Sequence, residues 1–153
     1  MSTQASTQAS TSSPELDYLA AGERLRELLL PLKAKGLKEV FVATDLDAVA
    51  NLGQHTPAIH VIYQGEREND TTQSGRQSAF DQIWLLVLVH RASPKEAGAG
   101  VWMGRMLQAV AGRACGDSTF RRETAPVRPS YKGGVAYLPL AFKTTVKFKG
   151  ERG

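Results

Sequence analysis

The sequence predicts an α/β protein of the α+β type, with a mixed, mainly antiparallel sheet of four to five strands and two main helices packed on one face. Two segments place apolar residues at helical spacing, one over residues 14–35 and one over residues 93–116. Apolar runs of strand length lie between and after them, and the longest, Val135–Lys149, alternates apolar and polar positions. Helices and strands in this arrangement indicate two layers around a shared core.

Length and composition indicate one domain without a membrane segment. The chain has 153 residues, of which 42% are hydrophobic, enough for one ordinary core. Its longest apolar stretch, residues 83–89, is too short to cross a bilayer. Residues 1–13 repeat Ser-Thr-Gln-Ala and lack the segments of a secretory signal. We therefore expect a disordered leader over residues 1–13, a folded domain over residues 14–150, and assembly in the cytoplasm.

The first helix is predicted from residue 14 to about residue 35. Pro14 suits a first helical turn, and Glu15 brings negative charge to the positive end of the helix dipole. Pro31 is expected to kink or end the last turn, and Gly36 is a suitable stop. The apolar stripe of this helix consists of Leu16, Leu19, Leu25, Leu28, Leu29 and Leu32.

Three strands are predicted between the two helices. The first is Glu39–Ala43, and a short helical segment over residues 44–53 follows it. The second covers residues 58–64, and a long polar loop over residues 65–77 leads to the third. The third strand, residues 81–90, has apolar residues at both odd and even positions, so both of its faces are expected to be buried. We therefore expect it at the centre of the sheet.

The last third of the chain is predicted to hold the second helix and the closing strand. The helix runs over residues 93–116, and a short strand within residues 119–124 and a loop over residues 125–134 follow. The closing strand, Val135–Lys149, has one apolar and one polar face. Pro139 has no amide hydrogen to donate, so it suggests an edge strand or a bulge at that position.

The residues able to perform chemistry form no catalytic or metal-binding pattern. The sequence contains no GxSxG elbow, no GxxxxGK phosphate loop and no HExxH helix. The single cysteine, Cys115, excludes an intrachain disulfide and a CxxC zinc site, and we expect a buried, inert thiol. His55, His60 and His90 lack the spacing of metal ligands, and His60 is interpreted as a packed or rim-exposed strand residue. No enzymatic activity, cofactor or metal is expected.

The charge allows contact with nucleic acid without requiring it. Lys and Arg number 19 against 15 Asp and Glu, which gives a formal charge of +4. Since no stacking aromatics or DNA-binding motif accompany these charges, solvated charges and ion pairs between subunits are the favoured interpretation. Trp102 is assigned to the side of its helix away from Met106, where an exposed tryptophan would favour protein contacts. The candidate interface residues are Arg67, Arg76, Trp102, Arg121, Arg122, Arg128, Lys132, Lys143 and Lys147.

Three segments carry a likeness to a known family. They are Pro57-Ala-Ile-His-Val-Ile-Tyr63, the apolar strand of residues 82–90, and Tyr137-Leu-Pro-Leu-Ala-Phe142. In the order of elements given above, they resemble the tail terminator, or tail completion, proteins of long-tailed phages, over about residues 15–148. That family has no diagnostic catalytic motif, so the resemblance assigns no individual functional residue.

The resemblance implies a structural virion protein that forms a six-membered ring on the last ring of the tail tube. Such a ring stops tube polymerisation and offers a joining surface to the neck and head, at the head-proximal end of the tail. The implied partners are further copies of the chain, the tail tube protein and a neck or head-completion protein. Closed cyclic symmetry makes the subunit contacts head-to-tail. The segments expected to form contacts are residues 65–77, 98–102 and 124–134.

Three alternatives remain open at this point. A head–tail connector or neck protein shares the ring habit but binds on the portal side. A small basic nucleic-acid-binding module is favoured by the charge alone, and it predicts salt-sensitive retention on DNA. Non-specific contact with passing DNA is also compatible with a role in the tail. A small hydrolase using Asp45 or Asp47 is the weakest alternative, since paired carboxylates need rigid placement to act as acid and base.

Overall fold

A computed structural model describes residues 15–43, 56–71 and 75–151. The predicted leader and the predicted short helix at residues 44–53 lie outside these ranges. The helical elements are α1 (Ala20–Leu29), a 3₁₀ helix (Leu30–Lys35) and α2 (Ala99–Val110). The strands are β1 (Glu39–Ala43), β2 (Ala58–Thr71), β3 (Gln77–Arg91), β4 (Ala114–Cys115), β5 (Ser118–Thr119), β6 (Arg121–Glu123), β7 (Ser130–Lys132) and β8 (Val135–Lys149).

Six of the described strands form one mixed sheet. Its order is β1-β2-β3-β8-β6, and β7 pairs with β8 beyond the end of β6. The strands β1 and β2 run parallel, whereas the other neighbours in this sheet are antiparallel. The predicted fold class is confirmed. The short strand predicted within residues 119–124 is confirmed as β6. The sheet has one strand more than expected because β7, three residues inside the predicted loop over residues 125–134, is too short to show a strand pattern.

The strand β3 lies at the centre of the sheet, as predicted. It pairs along its length with β2 on one side and β8 on the other, and Leu86 faces Val61 and Leu140 in register. Apolar side chains project from both faces of β3, so other parts of the chain must pack against each face to exclude water. This requirement explains why the molecule has a layer on either side of the sheet.

Both helices pack on one face of the sheet, as predicted. The main core on this face includes Leu25 and Leu29 of α1, Met106 and Val110 of α2, and Trp84 of β3. The opposite face carries a smaller apolar cluster, formed by Ile62, Leu85, Val87, Val89, Val135 and Ala141. The side chains of Ala125 and Val127 pack against that cluster. The segment between β6 and β7 therefore covers the face that the helices leave free.

The first helix is shorter than predicted and begins at Ala20. Its start is set by Tyr18, whose hydroxyl donates to Glu66 and whose carbonyl oxygen accepts a 2.6 Å hydrogen bond from Gln82. Burial, followed by the hydrogen bond to Glu66, raises the pKa of Tyr18 to about 12. Pro31 stands in the first turn of the 3₁₀ helix, and Gly36 ends it with a φ of 110°, which confirms the predicted stop.

The predicted loop at residues 65–77 is wrong, since β2 extends to Thr71 and β3 begins at Gln77. Two register shifts, at Tyr63/Gly65 and at Glu68/Asp70, let the strands continue past the core. We call residues 66–70, the exposed part of β2, the arm of β2. Their side chains are polar because they face solvent. The polar composition therefore reports solvent exposure rather than a loop.

The second helix is also shorter than predicted, because it begins at Ala99 and ends at Val110. Gly98, with extended backbone angles, precedes it. After it, Gly112 and Gly116 adopt positive φ values of 76° and 57° around the small β4–β5 pair. Neither helix in the described ranges is long and apolar enough to span a bilayer.

The closing strand β8 pairs with β3 along its whole length, but on its other side it is flanked only in part, and residues 138–140 and 144–149 pair with no described strand there. It pairs with β7 over Val135–Tyr137 and with β6 over Ala141–Lys143. Pro139 falls between these two stretches, at a position that no described strand flanks on that side. Pro139 therefore lies at a local edge of the sheet, where its missing amide hydrogen leaves no strand partner unsatisfied.

Candidate assembly interface

One polar network lies across β2, β3 and β8 on the face away from the helices. Asp81 on β3 stands in register with Arg67 and Thr145. Its carboxylate accepts hydrogen bonds of 2.7 Å from Thr145 and 3.0 Å from Asn69, and the guanidinium of Arg121 lies 3.8 Å away. Burial alone would raise the pKa of Asp81, but these hydrogen bonds and the Arg121 charge outweigh it and lower the pKa.

A second carboxylate on the same face joins two of the candidate cations. Glu123 on β6 lies 3.0 Å from the guanidinium of Arg67 and 3.8 Å from the ammonium of Lys143. The Arg67 side chain is 56% exposed, so solvent screens this pair and it contributes at most about 1 kcal/mol. The structure thus brings three candidate interface residues, Arg67, Arg121 and Lys143, into one network with internal acidic partners.

The other candidate cations are dispersed. Lys147 lies two residues beyond Thr145 on β8 and is exposed, and Arg76 donates a 3.1 Å hydrogen bond to the carbonyl of Gly150. Arg122 is exposed on the opposite side of β6 from its neighbours Arg121 and Glu123. Exposed positions between β6 and the end of β7 are occupied by Arg128 and Lys132. These residues do not form a single basic surface.

The expectation that Trp102 is exposed is wrong. Its side chain is 2% exposed and belongs to the main core together with Met106 and Val110, at a spacing of four residues. The guanidinium carbon of Arg105 lies 4.6 Å from the centre of its ring, a cation–π contact. The apolar residues of α2 fit two overlapping stripes, and the stripe through Trp102, Met106 and Val110 is the buried one. Trp102 therefore stabilises the monomer and has no exposed ring to offer a neighbour.

An apolar groove lies at the end of the sheet near the start of α2, and it brings together parts of two segments that were expected to form contacts, residues 98–102 and 124–134. It has a volume of about 410 Å³. Tyr131 on the edge strand β7 forms one wall and is 74% exposed. We call this feature the terminal groove; its lining residues are His90, Ala92, Ser93, Gly98, Ala99, Tyr131, Gly134, Val135 and Ala136.

Two leucines that were expected in the core stripe of the first helix are exposed instead. Leu16 is 63% exposed and Leu19 is 47% exposed, because both precede the first residue of α1. Acidic residues surround them along the chain at Glu15, Asp17 and Glu23, all exposed. We call Leu16 and Leu19 the leucine knob.

The titratable groups inside the protein do not form a catalytic arrangement in the described ranges. His60 is fully buried and stacks on Phe41 with ring centres 4.9 Å apart, so the expectation of a packed strand residue is confirmed. Cys115 is half-buried, less than expected, and burial raises its pKa despite opposing effects of Thr144 and Arg24. Within residues 15–43, 56–71 and 75–151, no three His, Cys, Asp or Glu side chains are grouped to hold a metal.

Taken together, the described residues define a small α+β protein whose prominent exposed features are surfaces suited to contacts with other proteins. A family model described as phage tail terminator protein matches residues 14–152. The chain belongs to this family, and the resemblance seen in the sequence is confirmed. It is a structural component of a phage tail. No individual curated protein matches it.

Proposed function

We propose that the chain forms a hexameric ring that caps the tail tube, ends tube polymerisation and joins the tail to the neck and head. The observation that carries this proposal is the family match over residues 14–152. The ring acts through shape and contact rather than catalysis. In this role the protein stands at the head-proximal end of the tail and is assembled in the host cytoplasm.

The sheet supports this proposal because it can hold contact surfaces rigidly in relation to one another. The strand β3 pairs with fifteen residues of β8 on one side and with β2 on the other, so these three strands form one continuous unit. Ring subunits need a pair of different surfaces with a constant angle between them, since a variable angle would prevent closure. The terminal groove and the leucine knob are two such surfaces.

The experiment that tests this function is assembly of tails without the protein. Deleting its coding sequence from the phage is expected to give overlong or headless tails, and supplying the wild-type chain from a plasmid should restore tails of uniform length joined to heads. Tails of normal length and joined to heads in the deletion strain would contradict the proposal. In purified tails, six copies of the 16.6 kDa chain, roughly 100 kDa, are expected at the head-proximal end.

A further inference from the structure

We propose that the leucine knob of one copy docks in the terminal groove of a second copy, so that subunits associate head-to-tail through these two surfaces. The inference rests on the proposed ring and names the residues that would close it. Its occupant is a second copy of this chain, and its central contact is Leu16 and Leu19 against Tyr131.

The terminal groove has the composition of a docking site. Small side chains and glycines, among them Ala92, Gly98 and Ala99, are part of its lining and leave room for branched aliphatic groups. Tyr131 stands beside it with three quarters of its side chain in solvent. A tyrosine at the rim of an apolar depression is a residue type on which binding energy commonly concentrates. Closing the groove would remove this apolar surface from water.

The leucine knob has the matching composition and is held in place. Tyr18 lies between the two leucines, and its hydrogen bonds to Glu66 and Gln82 fasten this segment to the sheet. The Tyr18 ring also packs edge-on against Phe148, with centroids 6.4 Å apart. Because the segment is already ordered by these contacts, docking it costs less conformational entropy than docking a free peptide.

The charges around the two surfaces are complementary. Around the terminal groove, the exposed cations Arg91, Lys95 and Lys132 outnumber the one exposed anion in the same stretch, Glu96. The leucine knob has the opposite surroundings: Glu15, Asp17 and Glu23 are exposed, and the nearest cation on α1, Arg24, is paired with Glu27 at 3.1 Å. Opposite charges around matching apolar surfaces favour one docking register and oppose knob–knob or groove–groove pairing.

The positions of the surfaces suit a head-to-tail contact. The leucine knob is tied to β3 through Gln82, and the terminal groove includes His90 of the same strand. Eight residues of extended strand separate these positions by about 26 Å. Since the two surfaces are attached to the same strand at positions this far apart, a copy that docks through its knob keeps its groove available for another copy.

Directed disulfide formation tests the contact. Two full-length chains are prepared, both with Cys115→Ser, one with Leu16→Cys and the other with Tyr131→Cys. They are mixed in oxidising buffer, and they are also incorporated together into tails assembled with the tube protein. A heterodimeric cross-link is expected. The matched control replaces Leu16→Cys by Lys38→Cys, because Lys38 is exposed and directly precedes β1 at the end of the sheet away from the leucine knob. Its yield should be about tenfold lower, as for a pair without a specific contact.

The outcomes separate this inference from the proposed ring. A chain with both Leu16→Cys and Tyr131→Cys is expected to give a ladder ending at six copies. A ladder that stops at a closed dimer would support the contact and contradict the ring. Equal yields with the Lys38→Cys control, or no cross-link both in solution and in tails that contain the protein at the tube end, would overturn the contact and leave the ring standing.

Charge reversal provides a second measurement that does not depend on disulfides. Glu15→Lys with Asp17→Lys in one chain, or Lys95→Glu with Lys132→Glu in another, should each lower self-association by about tenfold or more at low ionic strength. Mixing the two reversed chains should restore pairing between them. If the mixture associates no better than either chain alone, the contact is not made by these surfaces.

Discussion

Among single residues, His60 has the environment with the clearest measurable consequence. Its imidazole lies on the face of the sheet away from the helices, stacked on Phe41 and beside Val87 in register. Neither ring nitrogen has a hydrogen-bond partner within the described residues. Burial disfavours the charged form and lowers the pKa of His60 to about 4. The folded protein therefore holds this histidine neutral in the range where an unfolded chain takes up a proton.

The free energy of unfolding is expected to fall as the solution is acidified. Because the unfolded His60 titrates near 6.5 and the folded one near 4, the unfolded state binds more protons between these values, and stability rises with pH there. The loss due to His60 should reach about 2 kcal/mol by pH 5 and about 3 kcal/mol by pH 4. Urea denaturation followed by tryptophan fluorescence at pH 7.5, 5 and 4 measures it.

The control variant is His60→Leu, which keeps the apolar environment and removes the titrating group. It should be at least as stable as wild type at pH 7.5, since two unpaired buried nitrogens disappear. Both proteins share every carboxylate, so the difference between their pH profiles isolates the histidine. Parallel profiles from pH 7.5 to pH 4 would show that His60 is not the group responsible.

Two tryptophans show how far a residue's location follows from sequence. Trp84 lies within a run of β-branched and aliphatic residues, so both faces of its strand had to be buried, and it is 1% exposed. Trp102 lies on a helix whose apolar residues fit two stripes, one through Met103 and Leu107 and one through Trp102 and Met106. Periodicity alone cannot choose between stripes that overlap, and packing against α1 buries the second.

At the scale of elements, α1 packs closely on the sheet at one glycine. A Cβ atom added to Gly22 would lie 2.9 Å from two ring carbons of Trp84. The ring has little room to move, since its Nε1 donates a 3.0 Å hydrogen bond to Gln82 and the side chain is buried. The glycine therefore sets the distance between this helix and β3.

Gly22→Ala is expected to destabilise the protein, although alanine favours helices. The overlap with Trp84 should lower the free energy of unfolding by about 1–3 kcal/mol. Gly104→Ala in α2 is the matched control, because nothing lies within 4 Å of its added Cβ. That change should raise stability by about 0.5–1 kcal/mol through helix propensity. Chemical denaturation of both variants measures the contrast, and changes of the same sign would refute the close packing.

The type and order of the elements could be predicted from the sequence better than their ends. The alternation of β8 and the two-sided apolar character of β3 gave their positions correctly. The start of α1 could not be predicted, because it depends on hydrogen bonds between Tyr18 and two residues distant in sequence, Glu66 and Gln82, which hold the turn before the helix on the sheet. The arm of β2 was missed because polar residues in an exposed strand have the composition of a loop.

At the scale of the whole molecule, the candidate interface was harder to predict than the fold. Basic residues were chosen for their charge, yet Arg67, Arg121 and Lys143 have acidic partners within the chain. The leucine knob and the terminal groove depend on where α1 begins and where β7 pairs. Both are determined by tertiary packing. The sequence around Tyr131 therefore does not distinguish an exposed tyrosine from a buried one.

The position of β3 between two long neighbours determines which part of the molecule opens last. Its amides are enclosed by β2 and β8, so deuterium should enter them only when the entire domain unfolds. Amides of β7, three residues on an outer edge, should exchange through local fraying many times faster, as mass spectrometry of labelled peptides will reveal. Equal protection of the two strands would mean that the sheet opens as one unit. A graded pattern would mean that, in the proposed ring, each subunit has a rigid central strand and an edge strand able to adjust when a neighbouring subunit binds.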